Sequence, residues 1–192
     1  MDTGCRVPLL TDAQPADLVV QSLLEHTKAA SDGRLLNMHR QMATAPIVLA
    51  GYTGLRDAPG AHATAGGRTR SAIAVAASAA DRGEYTLAVN RLLAKREGWS
   101  GEQITAIAEG QSSGDADLDA LLDVVRDAAT GDGSVTDQAS NAAREAGWSP
   151  ELLAETFAYV GLVTYCERFV RYAGTEFDVR TPAPAAGEPA TG

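Results

Sequence analysis

The sequence predicts an all-α bundle. Apolar residues recur at helical spacing through most of the chain, and Gly and Ser stand where one helical run stops and the next starts. Aromatic residues are only 5% against 45% hydrophobic residues, dominated by Ala, Leu and Val, a composition suited to closely packed helices rather than sheets. At 192 residues the chain is long enough to bury a sizeable core.

Residues 1–15 hold Pro8 and Pro15 among polar residues and read as a flexible N-terminal arm. Residues 16–180 read as one helical domain. The tail, residues 181–192, is Pro, Ala and Gly with almost no bulky apolar side chain; it cannot offset its ordering entropy and is expected to be disordered.

Leu18, Val19, Leu23 and Leu24 form a first helical stripe, and Leu35, Met38, Met42 and Ala43 a second, before Pro46 breaks or restarts the helix. A third helix is expected from Ile47 to about Leu55, then a Gly-rich loop from Asp57 to Arg68. Ser71 to Ala80 is almost wholly Ala, Ile, Val and Ser, which suits a helix buried on nearly all sides, so the core is placed there.

Tyr85 to Glu97 continues as an amphipathic helix that Gly98 ends, and Ser100 with Gln103 supplies a capping box for the next helix. Asp115 to Ala129 carries Leu118, Leu121, Leu122 and Val125 on one side; its aspartates make a solvent face near a helix N-terminus. The run Arg96-Glu97-Gly98-Trp99-Ser100 recurs as Arg144-Glu145-Ala146-Gly147-Trp148-Ser149, followed by Pro150 at a first-turn position. Two similar helix-turn-helix halves explain this echo. On the last helix Leu162, Tyr165, Cys166 and Phe169 form an apolar stripe, while Glu167, Arg168 and Arg171 read as a solvated or intersubunit face.

A formal charge of -9 and a pI near 4.7 argue against nucleic-acid or anionic-membrane partners, which need clustered cations. Lys28 and Lys95 are the only lysines, and the Arg, Ala and Gly bias is associated with a high-GC bacterial source. No apolar run reaches about 18 residues, so a cytoplasmic protein is expected. Cys5 and Cys166 lie far apart without partners at redox spacing, and His26, His39 and His62 show no ligand spacing; no metal and no cofactor are expected.

Ser71, Gly83, Thr86 and Asn90 stand at the spacing Ser-x11-Gly-x2-Thr-x3-Asn, and upstream lies Asn37-x-x-Arg40-x-x-Ala43-x-x-Pro46. With the Gly-Trp-Ser turns, this pattern resembles the alkylhydroperoxidase D and carboxymuconolactone decarboxylase family over most of residues 15–180. Redox members of that family carry a Glu, a Cys-x-x-Cys and a His where this chain has Ser71, Gly83, Thr86 and Asn90. The resemblance implies an all-helical bundle assembling as a homotrimer or hexamer, with a site near a subunit interface.

None of the four replacements is a thiol or titrates near neutrality, so thiol peroxidase or disulfide chemistry at this frame is excluded. Ser71, Gly83, Thr86 and Asn90 then read either as a pocket wall that hydrogen-bonds a substrate oxygen, with Gly83 making room, or as small polar residues packed at a subunit contact. His39 is the candidate acid–base group or a core histidine bonded to a backbone carbonyl; Tyr85 donates to a developing enolate or simply packs. Arg40 clamps a carboxylate or anchors a helix end. Cys166 reads as a small hydrophobe or a reactive thiol.

The expected function is a cofactor-independent, non-redox enzyme of decarboxylase, isomerase, cyclase or lyase type. Its substrate would be a small organic metabolite of bacterial secondary metabolism, with His39 and Tyr85 catalytic and Arg40, Ser71, Gly83, Thr86 and Asn90 binding substrate. The alternative is a catalytically inactive binding or scaffolding protein on the same fold.

Overall fold

A computed structural model describes residues 5–10, 17–31 and 33–179, and the described residues form nine α-helices and no strand. In chain order these are α1 (Leu18–Ala29), α2 (Asn37–Met42), α3 (Pro46–His62), α4 (Gly67–Ala80), α5 (Glu84–Arg96), α6 (Gly101–Ala108), α7 (Ala116–Ala129), α8 (Asp137–Glu145) and α9 (Pro150–Ala173). None is long and apolar enough to cross a membrane.

Helix α4 is the hub, packing on α5, α6, α7 and α9. Ala72, Ile73, Val75, Ala76, Ala77 and Ser78 are all buried, and their small side chains let four neighbours approach a single helix. Around it Trp99, Ile104, Leu121, Leu122 and Val125 complete the larger apolar cluster. A second cluster joins α1–α3 to α5 and α9 through Met38, Met42, Leu49, Tyr52, Tyr85 and Cys166.

The echoed turns close in the same way. Gly98 and Gly147 take φ of +85° and +91°, where a Cβ would be strained, and Ser100 and Ser149 accept from the backbone N–H of Gln103 and Leu152. Trp99 Nε1 donates to the Arg68 carbonyl at 2.9 Å and Trp148 Nε1 to the Asp117 carbonyl at 2.6 Å. Both bonds span 31 residues and both end on the second residue of a helix, α4 or α7, so α4–α5–α6 and α7–α8–α9 are two copies of one unit.

Two expectations change here. Helix α3 runs on to His62, so the expected loop over Asp57–Arg68 shrinks to residues 63–66. Pro59 removes only one N–H, and Asp57, bonded to His26 on α1 at 2.6 Å, ties the extra turns to a neighbour. Within the expected arm, residues 5–10 lie against the bundle: Arg6 N–H donates to the Ala173 carbonyl at 2.8 Å and Gln41 Nε2 to the Val7 carbonyl at 2.8 Å. The expected tail, 181–192, falls outside the described residues.

Candidate functional site

The frame is built on the α4–α5 turn. Gly83 N–H closes α4 by donating to the Ser78 carbonyl at 2.9 Å, and Arg82 just before it sits at φ +55°, the left-handed region that costs an L-residue about 1 kcal/mol. Gly83 then caps α5. An added Cβ at Gly83 would lie 2.3 Å from Glu167 Oε2 and 2.4 Å from Thr86 Oγ1. The room left by the missing side chain is occupied, and a carboxylate occupies it.

Glu167 is 3% exposed, which corrects the expectation that it belongs to a solvated face. Its Oε2 accepts from the Thr86 hydroxyl at 2.8 Å, and its Oε1 accepts from Arg171 Nε at 2.9 Å. Arg171 reaches on to Asp81, donating to its backbone carbonyl and pairing with Oδ1 at 3.5 Å. Glu167 continues the buried α9 stripe of Val160, Val163 and Val170 at helical spacing. That register was the signal for its burial; the adjacent arginines obscured it.

The other frame residues turn to helix packing. Asn90 donates to Ser78 Oγ at 2.8 Å, and Ser78 in turn donates to the Ala74 carbonyl at 2.8 Å, stitching α5 to α4. Ser71 is buried and bonds back to the Arg68 carbonyl at 2.9 Å. The four replacements therefore divide: Gly83 and Thr86 meet Glu167, whereas Ser71 and Asn90 are held by α4.

His39 is 2% exposed. Its Nδ1 accepts the Leu36 N–H at 3.2 Å, capping α2, which leaves the proton of the neutral ring on Nε2, 3.1 Å from the Tyr52 hydroxyl. Burial, reinforced by the Arg56 charge and opposed by Asp178, lowers its pKa to about 4. Tyr85 donates to Asp178 Oδ1 at 2.7 Å and sits edge-on to Phe177, 5.9 Å between centroids; burial and then Asp178 push its pKa far up. Arg40 Nη1 donates to the Leu10 carbonyl at 3.5 Å. Cys166 is buried, and burial followed by the Glu167 charge raises its thiol to about 12, so it is not a thiolate near neutrality.

Two depressions are open. One, about 510 Å³, is a polar cleft beside the frame, between the α4–α5 turn, the end of α7 and α9, lined by Asp81, Arg82, Arg168 and Arg171. The other, about 690 Å³, is an apolar groove along α9 against Val48, lined by Phe157, Val160, Tyr165, Phe169 and again Arg168. Neither is lined by His39 or Tyr85. Among the described residues no group of three His, Cys, Asp or Glu side chains is arranged to hold a metal ion.

No protein-family model and no curated protein matches the sequence. Solved structures do match. The debrominase Bmp8 in its apo form aligns with TM-score 0.77 at 16% identity over 90% of this chain and 92% of its own, and a variant of it in complex with 2,3,4-tribromopyrrole aligns at 0.73 and 18% over 90% of each chain. The alkylhydroperoxidase D core of an uncharacterized peroxidase-related protein from Ralstonia eutropha aligns at 0.76 and 20% identity over 90% of this chain and 92% of its own.

Proposed function

We propose that this chain, whose fold is that of the alkylhydroperoxidase D and carboxymuconolactone decarboxylase proteins, is a cofactor-independent, non-redox enzyme that moves a proton on a small organic metabolite. The reaction is a decarboxylation, isomerisation, cyclisation or elimination. The observation that carries this reading is the Glu167 carboxylate lodged against Gly83 and Thr86, the two positions that the resemblance matches to the thiols of redox members.

A carboxylate cannot exchange disulfides, but it can accept a proton from carbon next to a carbonyl. Thr86 and Arg171 fix its two oxygens, and the arginine cleft next to it is the approach for substrate. Glu167 is then the proton acceptor, Thr86 positions it, and Arg171 must swing aside for substrate to reach it. His39 and Tyr85, each spent on internal hydrogen bonds, become positioning groups: His39 ties α2 to Tyr52 of α3, and Tyr85 ties the start of α5 to the Met38 N–H of α2 and to Asp178. The Bmp8 complex with a small aromatic supports small organic molecules as ligands of this fold.

The test is a panel of β-keto acids and lactone acids incubated in D2O and followed by proton NMR for carbon dioxide loss or deuterium incorporation. Glu167→Gln preserves shape and is expected to lower turnover by about 100-fold or more, with the helical circular-dichroism signal unchanged. Turnover that survives this substitution refutes the assignment.

One observation favours the second reading, a binding or scaffolding protein: Glu167 is only 3% exposed and lies behind the Arg171 pair. Measurable binding with no turnover across the panel would establish it. Self-association as a trimer or hexamer accords with the exposed apolar side chains Leu18 and Ile47 and is read directly by sedimentation.

A further inference from the structure

We infer that the arginine cleft and the α9 groove together form one binding site for a small amphiphilic anion, with its acidic head at Arg82 and Arg168 and its apolar body along Phe157, Tyr165 and Phe169. As the substrate class of the reaction proposed above this rests on that reading; as a binding site it stands on geometry of its own.

Two of the three guanidinium groups are uncommitted. Arg171 is engaged by Glu167 and Asp81, but Arg82 and Arg168 make no hydrogen bond or ion pair with any described residue. Asp81 also faces this cleft, and its buried Oδ2 has no partner, so the head group is repelled there and drawn to the Arg82 and Arg168 side. A guanidinium presents a planar fork of donors that matches a carboxylate.

Arg82 takes the left-handed position that closes α4, its N–H donating to the Ala79 carbonyl at 3.0 Å, and its exposed side chain makes no hydrogen bond or ion pair with any described residue. Its guanidinium lies on the cleft, in a chain whose formal charge is -9.

The groove supplies the rest of the ligand. It meets the cleft at Arg168, which lines both. Its lining is almost wholly apolar, Phe157 stands 48% exposed at its edge, and its volume of about 690 Å³ suits a small organic molecule. A charged head and an oily body, joined where Arg168 stands, fit the two depressions together.

The experiment is titration calorimetry on the full chain with octanoate, acetate, octanol and inorganic phosphate. Octanoate is expected to bind about tenfold or more tighter than the other three, and Arg168→Gln to weaken it by about tenfold, the loss of a charge-assisted hydrogen bond. Arg82→Gly is expected to weaken octanoate similarly while raising Tm, which separates lost recognition from lost folding. Phe157→Ala should weaken octanoate and leave acetate unchanged.

Equal binding of octanoate and octanol, phosphate binding as tight as octanoate, or octanoate affinity indifferent to Arg82 and Arg168 would each overturn the site. So would a Phe157→Ala variant that changes the particle mass and not the affinity, since a second copy would then cover the groove. Arginine-dependent binding with turnover that survives Glu167→Gln would refute only the reaction, and loss of turnover without arginine-dependent binding would refute only the site.

Discussion

Replacing Gly83 with alanine places a methyl carbon 2.3 Å from Glu167 Oε2, 2.7 Å from its Cδ and 2.4 Å from Thr86 Oγ1, all well inside contact distance. The backbone is not the obstacle, because Gly83 has φ -88°. The obstacle is a carboxylate that cannot retreat, held by Thr86 on one oxygen and Arg171 on the other in a site 3% exposed. Overpacking of this kind costs about 1–3 kcal/mol, and in a chain of this size each kcal/mol lowers Tm by about 2–4 °C. Urea unfolding and calorimetry should therefore show Gly83→Ala melting several degrees early. In a Glu167→Gln background, where shape is unchanged, the penalty should persist; in a Glu167→Ala background the part due to the side chain of Glu167 should vanish and only the contact with the Thr86 hydroxyl remain, a coupling that a double-mutant cycle reads directly. A neutral Gly83→Ala, or a penalty equal in the Glu167→Ala background, would refute the placement of the carboxylate.

Stability should fall in acid through two groups. His39 titrates at about 4 in the folded state against 6.5 unfolded, so its contribution is complete above pH 6.5 and is lost as pH falls from 6.5 to 4, on the order of 3 kcal/mol in all; His39→Gln should flatten the stability–pH curve over that window. Glu155 is opposed by burial but held down to about 2 by hydrogen bonds from Thr64, Tyr159 and Ala65, so its contribution is present above about pH 4.5 and lost as pH falls toward 2; Glu155→Gln should remove this lower part of the acid transition, about 1 kcal/mol after solvent screening. A slope unchanged in either variant would count against the corresponding hydrogen bonds. With a thiol reagent at pH 8, exposed Cys5 should react at once and buried Cys166 only on unfolding, and two equally fast thiols in the native protein would contradict the burial of Cys166.

What the sequence disclosed was local. The capping of α6 by Ser100 and Gln103, the glycine ends at Gly98 and Gly147 and the buried Ala-rich α4 all depend on residues within a few positions of one another, and all stand as read. What it concealed depends on helices distant in the chain. Thr86 meets Glu167 across 81 residues and Tyr85 meets Asp178 across 93, and no periodicity links such pairs. A lone Glu followed by two arginines resembles a solvated face, yet its neighbours at helical spacing, Val160, Val163 and Val170, already placed it on the buried side. His39 lay between: its bond to Leu36 spans three residues, but the Tyr52 partner that completes its burial comes from α3.

The two tryptophan clasps fix more than a resemblance between halves. Each indole must return to the same point of its first helix after 31 residues, so each half has a set length of chain to spend on one turn and one helix. The second half spends it on a short α8 and the long loop 130–136, where Gly131 and Gly133 take up positive φ freely. The first half spends it on the longer α5 and has only residues 81–83 left for the reversal, with an arginine rather than a glycine at the bend. Insertions into that turn would release the bend and unfasten the Trp99 clasp together, so the span between clasp points, more than any one contact, keeps Arg82 facing its cleft.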